Sequence, residues 1–177
     1  MSDDYEIKDD EVLKKRAMAL ARPLEELDSR ADLVSLLEFT MMGARYAVRL
    51  AHVSAVTRVS EITAIPLVPK HIPGIIRRRG ESIALVSLPY FFNVNREGVS
   101  DSDFAVIVQV RGKRFALQVE EILGVMTILE EEMTLPQDNF DPSQISYISR
   151  VTLDGLMILD LDALVEAKGF AVEKYSN

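Results

Sequence analysis

The sequence predicts an all-β protein built as two compact barrels packed together, and three observations carry that prediction. Apolar residues recur with a two-residue period in short runs, the spacing of half-buried strands. Glycine stands between such runs where a tight reversal needs a positive φ, as in Arg79-Gly80-Glu81-Ser82. The third observation is an internal repeat. Arg45-Tyr46-Ala47-Val48-Arg49-Leu50 aligns one for one with Arg114-Phe115-Ala116-Leu117-Gln118-Val119, and Val53, Val56 and Val59 fall on Ile122, Val125 and Ile128 without a gap. Gly80, Ile83, Leu85, Val86 and Leu88 parallel Gly155, Leu156, Ile158, Leu159 and Leu161 once a short insertion is allowed. A unit of roughly 60 residues cannot hide both faces of a sheet, so two such units should bury their faces against each other.

In chain order, Asp3 to Glu11 is an acidic, solvated segment, followed by Leu13, Ala17, Leu20, Leu24 and Leu27 at helical steps of four and three. Pro23 interrupts that run, so one helix should end near Ala21 and a second turn should start with the proline. Strands begin at Leu33, reverse through Met41-Met42-Gly43-Ala44, and continue with Tyr46, Val48 and Leu50 on one side. Val53, Val56 and Val59 recur every third residue, which suggests a helical turn from Ala51 to Ala55. A hairpin follows: Ile72 to Arg79, the turn at Gly80, then an apolar run from Ile83 to Phe92. Alternation sends Arg77 and Arg79 to one face of its tip and Arg78 to the other. Asn93 to Asp103 reads as a loop, and Asp162 to Lys168, with Gly169 just beyond, reads as a short closing helix. The chain thus divides into an acidic segment and amphipathic helix over 1–31, a body over 32–168 with repeats at 33–92 and 104–165, and a tail over 169–177.

Composition narrows the function. Of 177 residues, 48% are hydrophobic and 27% charged, ordinary for a globular protein, and no run approaches the ~18 apolar residues that cross a bilayer. The acidic N-terminus is unlike a secretory signal, and the absence of cysteine fits a reducing compartment, so a cytoplasmic location is expected. A net charge of −8 disfavours nucleic acid. The alternative, a nucleic-acid-binding small barrel, rests on the Arg77-Arg78-Arg79 cluster and on Tyr90, Phe91 and Phe92 as stacking residues. Only His52 and His71 are available for metal or acid/base work, without a third ligand at metal spacing, so no metal or cofactor is expected. Asp160 and Asp162 read as a strand end and helix cap, and Glu130-Glu131-Glu132 as a solvated loop. Neither a phosphate-binding glycine loop nor a Gly-x-Ser-x-Gly elbow is present, so catalysis is not expected.

From about Val34 to Val165 the sequence resembles the CheW-like adaptor proteins of bacterial chemotaxis. Ile65-Pro66 through Ile72-Pro73-Gly74-Ile75-Ile76-Arg77-Arg78-Arg79-Gly80 is similar to the family's proline-bounded segment and its glycine, hydrophobic pair, Asn-Leu-Arg-Gly run. Tyr46-Ala47-Val48 with Val53, and Val119-Glu120-Glu121-Ile122, resemble its two equivalent strand-and-turn segments. The resemblance implies two Src-homology-3-like five-stranded barrels, with no catalysis. It also implies a scaffold that couples the cytoplasmic tips of chemoreceptors to a CheA-type histidine kinase and is recruited to membrane receptor arrays without inserting in the membrane. A non-flagellar chemosensory pathway is a variant of that role. Carried over by position, the receptor contacts are Arg79, with Gly80 after it, and Val53. Ala55 replaces the family's usual acidic residue, and Arg77-Arg78 replaces its Asn-Leu. The resemblance also implies that the receptor tip lies in a groove between the barrels; together these replacements shift that groove by about three units of charge and call for a more acidic partner.

Overall fold

The computed structural model describes residues 32–94, 104–137 and 140–170. The helix expected in the N-terminal segment, most of the loop expected from Asn93 to Asp103, and the end of the tail lie outside them. The chain divides into two compact units, 1–33 and 34–177, and the second carries the β structure.

Among the described residues eleven strands run in the order β1 Leu33–Met41, β2 Ala44–Arg49, β3 Val53–Arg58, β4 Gly74–Arg78, β5 Glu81–Val86, β6 Phe104–Val110, β7 Lys113–Val119, β8 Glu121–Leu129, β9 Met133–Thr134, β10 Ile148–Thr152 and β11 Met157–Leu159. They form two curled sheets, the two-barrel arrangement expected, with orders β8-β1-β2-β11-β10-β9 and β3-β6-β7-β5-β4. Each sheet draws strands from both repeats. Where one barrel per repeat was the simplest expectation, the first two strands of each repeat sit among the last strands of the other. Exchange between duplicated units replaces each pairing with an equivalent one, so it carries little cost in hydrogen bonding.

Registers reproduce the sequence alignment. Leu85 lies beside Ala116 in the parallel pair β5–β7, and Ile158 beside Ala47 in the parallel pair β11–β2. The six-stranded sheet gains β9, which pairs with β10; its counterpart in the other sheet is the single bridge between Thr63 and Ile75.

The exchange explains why so many strands are apolar on both faces. Alternate residues enter different cores. Ala47, Leu36, Leu156 and Ile158 fill one barrel, and Ala116, Ile107, Ile83 and Leu85 fill the other. Tyr46, Val48, Phe115, Leu117, Val106 and Val86 meet at the seam between the sheets. In both repeats the small alanine goes into the barrel and the large ring into the seam. Each large side chain fully buried there contributes about 1.5–3 kcal/mol.

Two local expectations are corrected. The helical turn expected at Ala51 to Ala55 is a 3-10 turn confined to Leu50–His52, because Val53 and Val56 pair as strand residues with β6. The apolar run to Phe92 stops being a strand at Val86, and Leu88–Phe91 forms a helical turn with Pro89 in its first turn. The closing helix spans Leu161–Glu166; Asp160 caps it, its carboxylate accepting the Ala163 N–H at 2.9 Å.

Candidate partner-docking site

The β4–β5 hairpin is rooted by Ile76 opposite Ile83, both buried inside a barrel. Its turn is Arg79-Gly80 with φ of 50° and 85°, the doubly positive pair of a two-residue I′ turn whose twist matches the strands. A Cβ on Gly80 would meet nothing within 4 Å, so backbone conformation alone requires glycine there. Arg77 and Arg79 are exposed and Arg78 is half-buried. None of these three arginines forms an ion pair among the described residues. The neighbouring carboxylate, Glu81, is already held by the Arg114 guanidinium from β7. The tip therefore presents uncompensated positive charge, while its root is apolar.

Val53 opens β3, half-buried against the seam and opposite Val108 of β6. Val108 faces Phe115 of β7, and β5 runs parallel to β7. The starts of β3, β7 and β5 and the end of β6 thus share one end of the sheet, and the Arg79-Gly80 turn caps that same end. The structure brings Val53 and the arginine tip to one end of one barrel, on its two outermost strand positions. The Thr63–Ile75 bridge curls those edges toward each other by returning the chain that leaves β3 onto β4. Past a register shift between Val53 and Ala55, Ala55 packs against the interior of the barrel.

Gly74 fixes this geometry. A Cβ at that position would lie 2.3 Å from the carbonyl oxygen of Thr63, which accepts the Ile75 N–H at 2.9 Å. Only glycine permits the two backbones to approach so closely.

The other candidate constellations have local structural uses. Asp160 is the helix cap, and Asp162 accepts from Arg111 Nε at 2.6 Å. Glu132 accepts the Leu129 N–H at 3.0 Å, and Glu130 pairs with Arg49 at 3.4 Å. No group of three or more metal-ligating side chains comes together among the described residues. Phe92 is buried and Phe91 half-buried, ringed by His71, Tyr147 and Phe170, which leaves Tyr90 as the exposed member of the supposed stacking platform. Burial holds the His71 imidazole below its ordinary pKa, opposed by a backbone hydrogen bond with Gly169.

Sequence reading missed two exposed apolar features. Leu67 is fully exposed at a φ of 62°, and edge strand β8 turns Leu123 and Val125 outward. Pro66 and Pro69 around Leu67 were the available signal for the first. For the second, strict alternation along Glu121–Leu129 was there to be read, but both of its faces are apolar.

The architecture defines a strand-exchanged double barrel whose conspicuous surface features are a cationic hairpin tip and apolar edge residues. These are features suited to holding other proteins. The chain belongs to the family described as CheW-like domain, which its residues 35–169 match. Among solved structures it is similar to a scaffolding protein, TtCheW from Thermoanaerobacter tengcongensis, at 25% identity and a TM-score of 0.67. That alignment covers 77% of this chain and 94% of the other. No curated protein sequence matches. Family and structural likeness together make the chain a scaffold or adaptor of chemotaxis type.

Proposed function

We propose that this protein is a non-enzymatic coupling protein that holds chemoreceptor tips and a CheA-type histidine kinase in one assembly. The observation that carries the reading is the Arg79-Gly80 turn. Within a chain matched to the CheW-like family over residues 35–169, it stands exposed and without an ion pair among the described residues, at the barrel end where β3 begins with Val53. In this reading Arg79 and Val53 contact the receptor, with Gly80 setting the turn, and Arg77 and Arg78 bias the site toward an acidic receptor surface. The outward Leu123 and Val125 of β8 supply apolar surface for the kinase. Control is positional: holding both partners raises their effective concentration and biases the kinase between its states.

Co-sedimentation with receptor fragment and kinase, read alongside kinase autophosphorylation, tests this. Arg79→Ala should weaken receptor capture by about 1–3 kcal/mol while leaving the unfolding curve in place, the effect of one interface arginine. Val53→Asp should also block capture. Recruitment unchanged in both variants removes this barrel end from the receptor site. Binding to nucleic acid with a steep salt dependence would favour the small-barrel alternative instead.

A further inference from the structure

A second concavity lies away from the arginine tip, between the turn that precedes β4, the end of the Leu88–Phe91 helix, and the turn after the closing helix. Its walls include Lys70, His71, Tyr90, Phe91, Asn93 and Lys168, and it encloses about 420 Å³. That volume is within the range of small-molecule sites. Among the described residues its wall contains no carboxylate, in a chain whose net charge is −8. Neither lysine forms an ion pair among the described residues.

His71 gives the pocket a built floor. The residue is 8% exposed, and its backbone carbonyl accepts the Ser87 N–H at 2.8 Å. Its ring packs edge-on against Phe91 at 5.2 Å and parallel to Phe170 at 6.2 Å. Nε2 is buried without a hydrogen-bond partner. Sealed from the cavity by this packing, that nitrogen makes no contact with an occupant, and His71 serves the pocket as an aromatic floor. Phe91, half-buried, offers a ring to stack on, and the Tyr90 hydroxyl and Asn93 amide add polar contacts at the rim.

We propose that this pocket binds a small planar anion, an aryl carboxylate or aryl phosphate, with its charge held by Lys70 and Lys168 and its ring lying on Phe91 above His71. The assignment is independent of the coupling function.

The test titrates the full chain with benzoate and with phenyl phosphate, by calorimetry and by following the His71 imidazole signals in NMR. Benzyl alcohol and inorganic phosphate serve as the ring-only and charge-only comparators. Saturable binding of one or both aryl anions is expected, with the His71 signals moving at the same midpoint, and the stronger of the two identifies the charged group preferred. The double variant Lys70→Met, Lys168→Met, checked for an unchanged unfolding curve, should weaken binding by at least about tenfold, the loss of a charge-assisted contact. Absence of saturation by either aryl anion up to about 10 mM, weaker than any useful specific affinity, overturns the proposal. So does equal binding of either comparator, undiminished binding by the lysine variant, or binding that leaves His71 unmoved.

Discussion

The two barrels end in hairpin tips that occupy equivalent places and differ in charge: one turn residue is an arginine unpaired among the described residues, the other a paired aspartate. At β4–β5 the sequence is Arg78-Arg79-Gly80; at β10–β11 it is Leu153-Asp154-Gly155. Both glycines have positive φ, 85° and 83°, and each hairpin is gripped by the equivalent arginine of its parallel neighbour. Arg114 of β7 holds Glu81, and Arg45 of β2 holds Asp154 at 2.8 Å. In the second tip the gripped carboxylate is on the turn itself, so charge is cancelled locally and Leu153 is left 95% exposed. In the first it lies just past the glycine, and the turn residue keeps its charge with two more arginines behind it. The two tips reach their glycines by different turns: Arg79 takes a positive φ beside Gly80, whereas Asp154 does not, and the Thr152 N–H bonds to the Leu156 carbonyl around the loop Leu153-Asp154-Gly155. The tips differ in the charge they present, which is why the arginine tip, more than the fold, carries the proposed docking site.

If the halves are equal partners in one core, the largest effects should come from the seam and should appear in both. Phe115, fully buried and edge-on to Phe170 at 5.2 Å, matches Tyr46, 2% exposed. Phe115→Ala should cost about 3–5 kcal/mol in urea unfolding, and Tyr46→Ala a comparable amount, within one cooperative transition. A loss confined to one of them, or two separate transitions, would break the picture of a shared seam. Next in size is the bridge that closes the five-stranded sheet. Gly74→Ala places a methyl against the Thr63 carbonyl and should cost about 2 kcal/mol, with faster hydrogen exchange at the Ile75 amide. Gly80→Ala enters open space and meets only the unfavourable φ, a cost of about 1 kcal/mol. Equal costs for the two glycines would mean that the close backbone approach at Gly74 contributes nothing.

Much of this was legible in the residues. Duplication could be read because Tyr46-Ala47-Val48 and Phe115-Ala116-Leu117 keep the same alternation of large and small, and that alternation divides each strand between seam and barrel interior. The hairpin at Arg79-Gly80 was readable from one glycine between apolar runs. Strand exchange was not, since equivalent edges accept either copy of β5 or β11 and no side chain records which one is taken. The three-residue spacing of Val53, Val56 and Val59 misled for a physical reason: a register shift in β3 changes the face that its side chains occupy, which breaks the two-residue period. Charge at the tip was visible from Arg77-Arg78-Arg79, but its lack of compensation depended on Arg114 occupying Glu81, a contact between strands far apart in sequence.

The smallest predicted effect sharpens the comparison of the tips. The Thr152 hydroxyl, and after it the Arg45 guanidinium, hold the Asp154 carboxyl below the usual carboxylate range. As pH falls, the unfolded chain binds this proton before the folded one does. The stabilisation is therefore complete above the ordinary aspartate pKa and disappears as pH drops through the lower folded value. Asp154 is a surface group with its side chain 60% exposed, so the contribution at neutral pH is under about 1 kcal/mol. Asp154→Asn should lower stability by that small amount at neutral pH, and the gap from the parent chain should close on acidification below about pH 4. A gap that persists in acid would assign the effect to lost hydrogen bonding. The substitution should leave receptor capture untouched, whereas Arg79→Ala should do the reverse, and only that opposite pair of outcomes separates a tip used for stability from a tip used for recognition.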